Sequence, residues 1–111
     1  MIIIISSEGN TFESKPSHRF GRAPYFIKYD LEQNDWEALE NPAISESGGA
    51  GVAASQFIIN NQATVVISGR FGPNAYKVLD SAGLQMFTFD SDCVSILKVI
   101  ELFRGGLLTQ G

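Results

Sequence analysis

Four consecutive isoleucines, Ile2 to Ile5, constrain this chain more than any other feature. The run is β-branched and apolar without alternation, so it reads as a strand buried on both faces, the kind found at the centre of an α/β sheet. Ser6-Ser7 end it. A second buried strand, Thr64 to Ile67, lies between two helical patterns, Val52 to Asn60 and Ala75 to Ala82. Gln85 to Phe89 follows as another strand. Such strand–helix–strand units force parallel pairing with a right-handed crossover. Pro73 suits a first helical position, and Gly83 suits a left-handed cap. Tyr25 to Tyr29 and Trp36 to Leu39 form a hairpin across the polar turn Asp30 to Asp35. Asp90 or Ser91 is placed to cap a last helix reaching Arg104, with Val94, Leu97, Ile100 and Phe103 on one face and Gly105-Gly106 as its stop. The expectation is one α/β domain over residues 1–111, with a five-stranded mixed sheet flanked by helices. Only Leu107 to Gly111 is left outside ordered structure.

Strand direction then gathers the polar segments. If the second strand runs against the other four, Ser6 to Pro24, Asn41 to Gly51, Ser68 to Pro73 and Asp90 to Asp92 all meet at one edge. Ligands of open α/β sheets bind outside the carboxyl ends of the parallel strands. The crevice expected there is bordered by Gly9, Arg22, Gly51 and Arg70. The acidic turn Asp30 to Asp35 falls at the opposite edge.

Charge sharpens the reading. The net charge is −4 over 111 residues, which argues against nucleic acid or an acidic membrane as a partner. Yet Ser14 to Tyr29 and Ser47 to Leu79 contain no acid, while Lys15, Arg19, Arg22 and Lys28 lie in the first, with His18 able to become cationic, and Arg70 and Lys77 in the second. Cys93 is the only cysteine, so neither an intrachain disulfide nor a four-cysteine metal site is available. The opening apolar run is too short for a signal peptide, and no run approaches membrane-spanning length, so a cytoplasmic location is expected.

Three segments carry binding chemistry, each with a plainer alternative. Gly48-Gly49-Ala50-Gly51 enters a helix whose free amides suit an anion; it also suits a merely flexible entry. Gly49 to Ala54 fits G-x-G-x-x-A, but no acid follows about twenty residues on to hold a ribose, which argues against a dinucleotide. Gly69-Arg70-Phe71-Gly72-Pro73-Asn74 is a second strand–loop–helix entry, carrying a guanidinium; the alternative is a tight turn with a solvated arginine. His18-Arg19-Phe20-Gly21-Arg22 is a cationic cluster, in which His18 is either a candidate metal ligand or a solvated side chain. Cys93 reads as a soft ligand or a buried small hydrophobe. No nucleophile elbow and no carboxylate pair in the strand centres is present, so no catalytic residue is assigned.

Taken in order, Ser6-Ser7-Glu8-Gly9, Ser17-His18-Arg19-Phe20-Gly21-Arg22-Ala23-Pro24, Asn41-Pro42-Ala43, Gly49-Ala50-Gly51 and Gly69-Arg70-Phe71-Gly72-Pro73-Asn74-Ala75 resemble the dinitrogenase iron–molybdenum cofactor family, that is, NifX-like proteins and the C-terminal domain of NifB. The resemblance spans nearly the whole chain. It implies a ribonuclease H-like fold without nuclease activity. It implies a non-enzymatic protein that binds or ferries an iron–molybdenum or other metal–sulfur cluster, not covalently bound, and hands it between assembly or acceptor proteins. The ligand-holding residues it implies are Ser7, Gly9, His18, Arg19, Phe20, Gly21, Arg22, Gly49, Gly51, Gly69, Arg70, Gly72 and Asn74, with His18 the candidate metal ligand. Nitrogen-fixation members carry His-Phe-Gly where this chain has Arg19-Phe20-Gly21. Two other functions share the same loops: a regulatory module for a small phosphorylated or nucleotide ligand, and a small-molecule enzyme using His18 or Cys93.

Overall fold

A computed structural model describes residues 1–45, 48–90 and 92–111. Ser91, one of the two caps considered above, and residues 46 and 47 of the second polar loop lie outside it. The sheet has six strands in the order β3-β2-β1-β4-β5-β6. They are β1 (Ile2–Ser7), β2 (Tyr25–Asp30), β3 (Asp35–Glu40), β4 (Val65–Ser68), β5 (Gln85–Thr88) and β6 (Thr109–Gln110). β1, β4 and β5 are parallel neighbours. β2 runs against both β1 and β3, so the hairpin and the strand directions are as expected. The expected count of five is corrected by β6, which pairs antiparallel with β5 through Phe87↔Gln110 and Thr88↔Thr109. The tail anticipated as disordered therefore forms the sheet's last edge. Gly106, at φ +71, turns the chain back towards it.

The isoleucine run is buried on both faces. Ile4 and Val66 pack beneath α1 (Ala50–Asn60) and α2 (Pro73–Ser81), with Ala54, Ile58, Ala75 and Leu79 above them. Ile3, Ile5, Val65 and Ile67 pack on the other face against Ile96, Val99 and Ile100 of α3 (Ile96–Arg104). Two crossovers stepping the same way along a sheet place both helices on one face. The third helix covers the second face.

Pro73 begins α2 and Gly83 (φ +82) follows it, both as the sequence requires. The last helix starts later than expected. Its cap is Ser95, whose hydroxyl accepts from the Lys98 amide at 3.1 Å. That start turns Ile96, Val99 and Ile100 inwards, an i, i+3, i+4 stripe. Val94 and Leu97, assigned to the buried face, are instead exposed. Among the described residues no helix is long and apolar enough to cross a membrane.

Candidate functional site

Buried hydroxyls shape the carboxyl edge of the sheet. Ser6, Ser7, Ser17 and Ser68 are all buried there. The Ser6 hydroxyl lies 2.8 Å from both the Ser17 carbonyl and the Ser68 hydroxyl, and the Ser17 amide donates to the Ser6 carbonyl at 2.9 Å. The segment that follows runs on beside β4. Phe20 N donates to the Arg70 carbonyl at 3.2 Å, and Arg19 and Arg70 form a parallel bridge. Two arginines distant in sequence thereby become neighbours.

A short 3-10 turn, Phe20–Arg22, comes next. Phe20 is its anchor, buried and packed on Phe26 and Phe71. Asn41 clamps the turn from outside. Its Nδ2 donates to the Ala23 carbonyl at 2.9 Å and the Gly21 carbonyl at 3.3 Å, while its Oδ1 accepts from Ala43 N. A buried amide side chain satisfied on both sides fixes backbone better than a surface contact does. Of these, the sequence marks only Ser7 as a site residue; Ser6, Ser17, Ser68 and Asn41 are given no role there. Their signal was present, since polar residues at the end of a buried strand need partners.

Glycine lets the three pieces meet. A Cβ on Gly21 would lie 3.1 Å from Gly51 N, and one on Gly51 would lie 3.3 Å from the Ala75 Cβ. The turn, the start of α1 and the start of α2 are therefore in close contact. Between them lies a cleft of about 350 Å³. Arg19 to Arg22, Gly49 to Val52, and Arg70 with Gly72 to Ala75 line it.

The cleft is polar in a particular way. Among the described residues, none lining it carries a carboxylate, and none forms an ion pair with Arg19 or Arg70. Arg22 donates through Nη1 to the Ile44 carbonyl at 3.4 Å. Both helices entering the cleft are capped by glycines, Gly49 and Gly72, and no side chain caps their amides. Neither has an acid in its first turn. α3 differs: Ile96 N donates to the Ser14 carbonyl, Leu97 N to that of Phe12, and Lys98 N to Ser95. The chain uses up the amides of α3 itself, whereas the first residues of α1 and α2 line the cleft and no described side chain caps their amides. Free amides at a helix start carry partial positive charge that attracts anions.

Nine residues anticipated from sequence meet here: Arg19, Phe20, Gly21, Arg22, Gly49, Gly51, Arg70, Gly72 and Asn74. Ser7, Gly9, His18 and Gly69 do not line the cleft. The Ser7 hydroxyl donates to the Gly9 carbonyl at 2.7 Å, closing its own turn. The excursion beyond it lays Phe12 on Tyr29 and Trp36, on the α3 face. Gly9 therefore does not border the crevice with Arg22, Gly51 and Arg70. The His18 ring packs on Phe89, with centroids 5.6 Å apart, and its Nδ1 would lie 2.8 Å from a Cβ on Gly69. Gly69 is a spacer for that histidine. Cys93 is buried on the α3 side, and burial above all raises its pKa, keeping the thiol protonated. Among the described residues no three histidines, cysteines or acids form a metal-holding group.

Fold and cleft define a class: an α/β domain with an arginine-lined cleft at the carboxyl edge of its sheet. The chain belongs to the dinitrogenase iron–molybdenum cofactor family, whose description matches residues 1–106. It is 30% identical over 97 residues to an uncharacterised protein of Methanocaldococcus jannaschii, covering 85% of this chain and 80% of that protein. Among solved structures it is similar to the apo form of the orange protein from Desulfovibrio gigas, with a TM-score of 0.93 and 27% identity over 99% of this chain and 92% of that one. It is also similar to a putative NifB protein from Thermotoga, with a TM-score of 0.86 and 31% identity over 98% and 91% of the two chains.

Proposed function

We propose that this protein is a non-enzymatic carrier for an iron–molybdenum cofactor-like metal–sulfur cluster or a related anion, which it holds in the cleft and releases to an assembly or acceptor protein. The observation that carries the reading is the meeting of two helix starts without a side-chain cap and three arginines around one space with no carboxylate among the described residues that line it. Membership of a family described by the iron–molybdenum cofactor supplies the cargo. A preformed cluster brings its own bridging sulfides and negative charge, so it needs few ligands from the protein. Amides and guanidinium groups offer only donors and grip the sulfides and oxygens at its surface.

The positions of His18 and Cys93 favour binding without direct coordination. Neither lines the cleft, and Arg19 occupies the slot where nitrogen-fixation relatives carry histidine. Such a grip favours release, since no metal–ligand bond has to break. The scaffold reads as ribonuclease H-like but lacks that fold's chemistry: β1 is IIIISS and β4 is VVIS, with no acid in either. Two-metal hydrolysis needs carboxylates there. Magnesium-dependent hydrolysis that vanished in Glu8→Gln would overturn the non-enzymatic reading.

The first test is anaerobic purification followed by a visible spectrum and elemental analysis. A charge-transfer colour accompanied by iron and molybdenum supports the reading. A colourless protein that also leaves an isolated iron–molybdenum cluster unbound on titration refutes it.

A further inference from the structure

A second cavity, of about 340 Å³, opens on the other face of the sheet, beside α3. It is about the size of a small-molecule site. Its floor is apolar: Phe89 and Cys93 are buried, and Leu102 and Leu108 are partly buried against the α3 core. Its lips are Val94 and Leu107, each 73% exposed and the two most exposed large hydrophobics among the described residues. Aliphatic groups so placed beside an apolar hollow are surface that an occupant would cover.

The rim fixes the sign of the occupant. Asp90 and Asp92 lie on it, exposed, with no ion pair among the described residues. The one rim cation, Lys98, has Glu101 4.0 Å away. The cleft on the opposite face has the reverse character: its lining, among the described residues, holds three arginines and no acid. Two cavities of nearly equal volume and opposite charge thus share one edge of the sheet.

We propose that this second cavity binds a small organic cation: an aliphatic or aromatic body seated on Phe89, Cys93, Leu102 and Leu108, with an ammonium group at Asp90 and Asp92. The site is independent of the anion cleft and of the cargo proposed for it. Cys93 contributes shape only. It sits deep among apolar groups, and its thiol is neutral near pH 7.

The test is an NMR titration of the isotope-labelled full chain with three probes of one shape: phenethylamine, phenethyl alcohol and phenylacetate. The amine is expected to shift the amides of Phe89, Cys93 and Leu108 while leaving those of Gly51 and Arg70 in place. It should bind roughly three- to tenfold tighter than the alcohol, with phenylacetate weakest. Asp90→Asn combined with Asp92→Asn, two exposed substitutions that leave the core intact, should bring the amine down to the affinity of the alcohol. Equal binding of all three probes, preference for phenylacetate, shifts confined to the anion cleft, or no shift at millimolar amine would each overturn the proposal.

Discussion

Gly69 and Gly21 show how little room the site leaves. A Cβ on Gly69 would stand 2.7 Å from the His18 Cα, and one on Gly21 3.2 Å from the Gly51 Cα. Both obstacles are backbone and cannot swing away. Gly69→Ala is expected to cost about 3 kcal/mol and Gly21→Ala about 1–2 kcal/mol, in the range of overpacked cores. Gly72→Ala, at φ −71 with nothing near its Cβ, should be almost neutral. Urea midpoints rank the three, and a neutral Gly21→Ala would mean the turn does not pack on α1 as described. Glycines are easy to see in a sequence; whether one serves a ligand or a neighbour is not, because the neighbour of Gly69 lies 51 residues earlier, at His18. Cys93 makes a separate prediction through its raised pKa. The folded state holds the thiol proton more tightly than the unfolded chain, so this stability is intact below the ordinary value of 9.0 and is lost as pH rises beyond it. The difference in unfolding free energy between the wild type and Cys93→Ala should therefore shrink above pH 9.0; a constant difference would show the thiol to be no more buried than in the unfolded chain.

The elements were legible wherever a pattern was local. The isoleucine run, Pro73 and Gly83 each name their own surroundings, and the strand directions followed from the two crossovers. What the sequence hid depended on partners elsewhere. Thr109–Gln110 carries no strand signal, and it is a strand because β5 offers an unpaired edge. The start of α3 lies several residues beyond the expected caps, Asp90 or Ser91, because the choice is made by Phe12 and Ser14, whose carbonyls accept from Leu97 and Ile96. Ser95→Ala should cost about 1 kcal/mol, as for other helix caps, read from a denaturation midpoint. A similar loss from Asp92→Ala with none from Ser95→Ala would relocate the cap. The same contrast made the binding edge only half legible. Glycines before α1 and α2 are visible in the sequence, but that loop carbonyls take up the first amides of α3 is a fact of packing.

At the scale of the molecule, the arginine-lined cleft is built from segments far apart in sequence that only the sheet brings together. Ser6, Ser17, Ser68 and Asn41 hold them in place without lining the space themselves. This division of labour predicts different failures. Asn41→Ala should loosen the Arg22 turn and cost about 1–3 kcal/mol, since it strands buried carbonyls. Arg70→Ala, at an exposed position, should leave stability unchanged and affect binding alone. Arg19→His would restore a group able to coordinate metal, so it should tighten cluster binding and make it less dependent on salt. The central claim is that charge and amides hold the cargo, and it is most directly tested by titrating the wild type and Arg70→Ala with isolated iron–molybdenum cofactor, without oxygen, at low and high salt. Wild-type binding should be saturable and weaken as salt screens the arginines, and affinity should be at least tenfold lower in Arg70→Ala, the loss of one charge-assisted contact. Binding indifferent both to salt and to the loss of Arg70 would contradict the claim.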